Sequence, residues 1–190
     1  MTHVIVGVSG ASGSVYALRL LEKLGKQAEV RTHLVMTRSA ERTAYLETGK
    51  LAADFKTLAG HWYPVEDIGA GIASGSFVSH AMIVAPCSIH TMSAIAAGIT
   101  DNLLTRAADV MLKERRRLVL MVRESPFHLG HLRSMAALAE MGAIIAPPVP
   151  GFYHKPESVL DIVDHSVDRA LDLIGLPDSG ARRWDGGARS

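Results

Sequence analysis

The 190-residue chain predicts an α/β fold: a three-layer, doubly wound, mostly parallel sheet in a single domain. Apolar, β-favouring runs alternate with segments of helical periodicity, so the order reads as successive βα units. Runs such as "AMIVAP" and "RLVLMV" are apolar throughout rather than alternating, as strands buried on both faces must be. A hydrophobic content of 48% over this length supplies one well-buried core and is short for two.

In chain order, the pattern predicts a strand near Val4–Val8, a helix over about Ser14–Leu24, a strand near Arg31–Met36 and a helix over about Ser39–Glu47. A polar, glycine-bearing stretch follows, "HWYPVEDIGAGIASGSF". The strand "AMIVAP" leads into a small-residue helix "TMSAIAAGI", a second helix "NLLTRAADVMLKE" and the strand "RLVLMVR". A helix around His131–Met141, the strand "AIIAPPVP" and an amphipathic helix over about Pro156–Ile174 complete the series. In the last helix Val159, Ile162, Val163, Val167, Ala170 and Leu171 share one face. Residues 177–190 read as a C-terminal tail, and neither repeats nor a domain linker are evident.

The bulk numbers narrow the function. A net charge of +1 gives no push toward nucleic acid or a membrane surface, so an anionic ligand must be met by locally placed charge. One cysteine, Cys87, excludes an internal disulfide and fits a reducing compartment. The first residues lack the pattern of a signal peptide, and the expected location is the cytoplasm. Cys87 ends an apolar strand with no sequence signature for an activating base, which favours a buried filler over a thiolate.

The first strand opens into "GVSGASGS", a strand, a glycine-serine loop and a helix, an order that suits an anion at a helix N-terminus. Its spacing is G-x-x-G-x-x-G, which is neither the dinucleotide fingerprint, nor the P-loop, nor the serine-hydrolase elbow. In a doubly wound sheet, ligands sit beyond the carboxyl ends of the strands. The segments leaving the predicted strands are "SGASGS", "TRSA", "PCSIHT", "RESPFH" and "PPVPGFYHKP"; they gather hydroxyls, an Arg-Glu pair and a tyrosine at one edge.

The stretches "GVSGASGSVYALRLL", "SGSF", "APCSIHTMSAIAAGITDNLLTRAADVMLKERRRLVLMVRESPFHLGHLRSM" and "GAIIAPPVPGFYHKPES" resemble the UbiX-type flavin prenyltransferases, from about Ile5 to Trp184. The resemblance implies a Rossmann-like, flavodoxin-like fold shared with the flavin-containing cysteine decarboxylases, assembled as a homododecamer with shared active sites. It implies that reduced FMN is bound as a co-substrate. A dimethylallyl group passes from dimethylallyl monophosphate to N5 and then C6 of the flavin, without a metal. The product, prenylated FMN, goes to a UbiD-type decarboxylase.

The family pattern also assigns residues. Gly10, Ala11 and Ser12 match its FMN loop, with Ser12 also passing a proton; Thr37, where the family usually has serine, and Ser88, Ile89, His90 and Thr91 match further FMN contacts. Taken alone, Ser88 reads more readily as a helix N-cap. Arg123 matches a contact to FMN or phosphate, and Glu124 an acid beside the prenyl phosphate. A guanidinium fork suits phosphate oxygens, and a carboxyl can carry the proton that a leaving phosphate needs. Glu47 matches a second acid linked to closure at C6, although by pattern it is only a helix end. Lys113, Tyr153 and Arg169 match phosphate ligands, Lys113 reaching into a neighbour's site; Ser74 matches a serine near the prenyl group and Trp184 a tail residue over the pocket. Arg106 reads as structural or interfacial. Two other activities compete: an FMN-dependent decarboxylase of cysteine-type substrates, whose second motif is missing here, and a non-catalytic FMN carrier or accessory subunit, which would not need Lys113, Tyr153 and Arg169.

Overall fold

Strand β1 (Thr2–Val8) lies inside a six-stranded sheet in the computed structural model, which describes residues 1–176. On one side of it come β2 (Val30–Met36) and β3 (His61–Tyr63); on the other, β4 (Ala81–Cys87), β5 (Arg117–Val122) and β6 (Ile144–Ile145). All neighbouring strands pair in parallel, with Val4 opposite Thr32 of β2 and Ala81 of β4. The sheet is thus wholly parallel rather than mostly so.

Alternation along each strand divides the core. Val4, Val6 and Val8 of β1 pack with α1 (Ser14–Gly25), α2 (Arg38–Thr48), α3 (Ala52–Leu58) and α7 (Val159–Leu173). Ile5 joins the opposite layer, built by α4 (Ile89–Ala96), α5 (Leu103–Lys113) and α6 (Leu129–Glu140). Both faces are covered, as an all-parallel sheet requires. The outer helices are also tied by charge: Arg19 of α1 donates to Asp164 of α7 at 2.8 Å, and Lys23 pairs with Asp168.

The differences from the sequence pattern have local causes. Helix α3 and strand β3 are additional: α3 has Phe55 as its one buried residue, and β3 is three largely exposed residues. Strand β6 shrinks to two residues, because Pro147 and Pro148 just beyond it have no N–H to give a ladder. Helix α7 starts at Val159, where Ser158 Oγ accepts from Asp161 N at 3.1 Å and Asp161 Oδ2 accepts from Ser158 N at 2.8 Å. Among the described residues no helix is long and apolar enough to cross a membrane.

Candidate active site

The chain leaves β1 for β2 on one side, while β4 lies on the other, so the strand order reverses between β1 and β4. In this class of sheet, ligands bind at such a point, in the crevice beyond the carboxyl ends of the strands. Ser9, which is buried, stitches the two sides. Its Oγ donates to Pro86 O at 2.9 Å and accepts from Ser88 N at 2.7 Å. The sequence patterns do not single out Ser9, since its partners lie 77 and 79 residues away.

Two glycines of the β1–α1 loop are required by geometry. A Cβ on Gly10 would lie 2.5 Å from Ser39 Oγ, and Gly13 has φ 111° in the left-handed region. Helix α2 closes over this loop from the next strand. Its cap Thr37 accepts from Ala40 N at 3.1 Å and exchanges a hydroxyl hydrogen bond with Ser39 at 3.0 Å, while Thr43 Oγ1 donates to Gly10 O at 3.3 Å.

The same helix face, four residues further on, carries Glu47. Its carboxylate accepts from Gly13 N at 3.0 Å and Ser14 N at 2.8 Å, so the anion at the N-terminus of α1 is a side chain of the protein itself. Desolvation acts to raise the Glu47 pKa. Hydrogen bonds from the Ser12 hydroxyl, the Ser14 and Gly13 amides and the Ser14 hydroxyl outweigh it and hold the carboxyl below its ordinary value. The loop read as a phosphate cradle therefore presents an ionised carboxylate, next to Ser12.

A second helix N-terminus remains for an anionic ligand. Ser88 caps α4, accepting from Thr91 N at 3.3 Å and donating to Thr91 Oγ1 at 3.2 Å, so the N-cap reading of Ser88 holds. Ile89 and His90 occupy the first turn of α4, where amides have no intrahelical acceptor and suit phosphate oxygens. Beside it, Arg123 at the end of β5 donates its N–H to Cys87 O at 2.9 Å and has an exposed side chain. Glu124 is also exposed and accepts from Ser125 N at 2.9 Å. Tyr16, a further residue that the motifs do not flag, has its phenol pKa raised by burial, an effect the Arg123 charge partly offsets. A wide hydroxyl-lined edge with one guanidinium and two carboxyls can hold a phosphate ester and move protons.

Other expected residues lie elsewhere. Helix α5 runs back from the crevice, and its last residue, Lys113, ends at the opposite edge, paired with Glu114 against Gly75. Ser74 is adjacent, bonded to Ser76 at 2.8 Å. Arg116 holds this segment through Phe77 O at 2.6 Å and Gly75 O at 2.8 Å, and Arg106 donates to Ala73 O at 3.1 Å, a structural role. Arg169 lies near the end of α7, paired with Asp172 at 2.5 Å, also toward the opposite edge. Tyr153 follows β6 in the 3-10 turn Phe152–His154, its ring 3.9 Å from that of His154. One copy of the chain thus brings Ser12, Thr37, Glu47, Ser88, Ile89, His90, Thr91, Arg123 and Glu124 to one edge and leaves Ser74, Lys113 and Arg169 at the other. Trp184 and the tail lie outside the described residues. Cys87 is fully buried, and burial pushes its thiol pKa up to about 12, far from a thiolate. No group of three or more His, Cys, Asp or Glu among the described residues could hold a metal ion.

Comparison with known proteins agrees with this architecture. A family model described as "Flavoprotein" matches residues 1–171. The flavin prenyltransferase UbiX of Escherichia coli K12 is 51% identical over 188 residues, covering 98% of this chain and all of the relative. A crystal structure of AnUbiX (PadA1) in complex with FMN and dimethylallyl pyrophosphate superposes with a TM-score of 0.94 at 45% identity, covering 97% of this chain and 98% of the other. A dodecameric FMN-dependent UbiX-like decarboxylase from Escherichia coli O157:H7 does so with the same TM-score at 48% identity, covering 97% and 100%. On the strength of this full-length likeness and the shared fold, the chain belongs to the flavoprotein family and, within it, to the UbiX-type flavin prenyltransferases.

Proposed function

We propose that this chain transfers a dimethylallyl group from dimethylallyl monophosphate to N5 and then C6 of reduced FMN, making prenylated FMN. The observation that carries the reading is the Glu47 carboxylate, held ionised by Ser12, Gly13 and Ser14 at the switch-point crevice. The donor set fits FMN: hydroxyls of Thr37 and Ser88 and the first turn of α4 offer neutral donors, and Arg123 offers charge to a phosphate. Gly10, Ala11 and Ser12 form the wall along the flavin. Bound reduced FMN supplies the nucleophilic N5 and C6.

The protein's own groups carry the rest. Glu47 steadies allylic cation character and accepts the proton that C6 must lose; Ser12, hydrogen-bonded to it, extends the proton path. Glu124 gives the departing phosphate its proton while Arg123 balances charge. A monophosphate leaves less readily than a diphosphate, so Lys113, Tyr153 and Arg169 join as phosphate ligands, with Ser74 and Trp184 near the prenyl group. Since Ser74, Lys113 and Arg169 lie at the far edge of their own copy, a neighbouring copy supplies them, in an assembly like that of the dodecameric relative. The prenylated product passes to a UbiD-type decarboxylase, and the work is cytoplasmic.

The test is to mix the protein with FMN, dithionite and dimethylallyl monophosphate without oxygen and to measure the flavin mass. A gain of one prenyl unit is expected; bound but unaltered FMN refutes the reading. Running the diphosphate in parallel decides which donor is used.

A further inference from the structure

Arg123 and Glu124 begin a span without regular structure that ends at His128, the cap of α6. Residues Arg123–Gly130 are all exposed in the single copy, so the copy's own core does not fix the span. Its first end is tied by the Arg123 N–H to Cys87 O at 2.9 Å. Its far end is tied by an imidazole. His128 Nδ1 accepts from Gly130 N at 3.0 Å and His131 N at 3.4 Å, two first-turn donors that α6 cannot satisfy internally.

The place of this ring is prepared. A Cβ on Gly130 would lie 2.8 Å from His128 Cε1 and 3.0 Å from Nδ1. The His131 ring centroid is 3.5 Å from that of His128, and Phe127 stands edge-on to His131 at 6.3 Å. Thr37, Ser88, Asn102 and Ser158 cap α2, α4, α5 and α7 with the small polar side chains usual at this position; a histidine here departs from them. As the acceptor, Nδ1 carries no proton, so the hydrogen is on Nε2.

We propose that His128 is a positioning residue for prenyl transfer: by capping α6 it fixes the end of the Arg123–His128 span and so the place of Glu124 at the reacting edge. The inference rests on the prenyltransferase reading. The test uses the full chain in its native assembly and the anaerobic assay above, with amide hydrogen exchange measured alongside. His128→Ala should lower kcat about tenfold, the scale of a modest misplacement of a reacting group, with FMN affinity within about twofold, and should raise exchange at Gly130 and His131. His128→Asn, which keeps a capping acceptor, should restore both. Gly130→Ala should behave like His128→Ala, because its methyl displaces the ring. Normal kcat in His128→Ala, an Asn variant as slow as the Ala variant, or unchanged exchange would each overturn the proposal. A wild-type protein that leaves FMN unaltered refutes the prenyltransferase reading instead, while the exchange comparison still tests the cap.

Discussion

Replacing Ser9 by alanine should loosen the crevice without touching a ligand. The hydroxyl gives one hydrogen bond to Pro86 O and takes one from Ser88 N in a buried setting. Pro86 O keeps the Ser9 N–H at 3.2 Å, so the acceptor is still satisfied, but the Ser88 amide loses its partner. A net hydrogen bond contributes about 1 kcal/mol, and an orphaned donor costs about 1–3 kcal/mol. The expected loss is about 2–3 kcal/mol, or about 4–12 °C in Tm for a domain of this size. Half of that loss, felt at the first turn of α4, weakens FMN binding about tenfold. Urea unfolding at fixed protein concentration and FMN titration read the two effects. A variant that loses less than about 0.5 kcal/mol and binds FMN normally would refute the claim that Ser9 couples the two strand ends.

Glu47→Gln keeps an acceptor for the Gly13 and Ser14 amides but loses the charge, so FMN should still bind while turnover stops before closure at C6; normal formation of the absorbance of the closed product would contradict the role of Glu47. Burial, then the charges of His3, His61 and Arg31, lower the His33 pKa to about 4. Below the unfolded value of about 6.5 the unfolded chain binds a proton that the native one refuses. Stability therefore falls as pH drops toward 4, by roughly 3 kcal/mol from this residue. Urea unfolding at pH 7 and 4.5 should show a smaller loss in His33→Gln; equal losses would count against it. Lys113→Ala and Glu124→Gln should each be inactive alone, yet a mixed assembly of both should regain about a quarter of the sites, because the two groups come from different copies. No regain would mean that a single copy supplies both.

Much of the architecture is legible in the residues because its causes are local. The all-apolar run Ala81–Cys87 announces a strand covered on both faces, and the glycines and serines after Val8 announce the turn into α1. By contrast, α3 buries only Phe55, and β3 is three residues of which only Tyr63 packs against the core, so neither leaves a periodic trace. The site is less legible because its bonds are long-range. Glu47 looks like an ordinary helix end until α2 is laid over a loop 33 and 34 residues earlier. The placement of Lys113 could have been anticipated. A helix joining two parallel strands must return to their starting edge, so the C-terminal residue of α5 ends away from the crevice.

The two outermost strands are three and two residues long, and the second is followed by two prolines. Among the described residues, such borders offer an incoming strand almost no ladder to extend, which disfavours joining copies by continuing one sheet into the next. Association is left to helices and loops, the parts that also carry Lys113, Arg169 and the Arg123–His128 span. On the proposal that a neighbouring copy supplies Lys113 and Arg169, the abrupt ending of the sheet makes self-assembly and completion of the active site matters of the same surfaces.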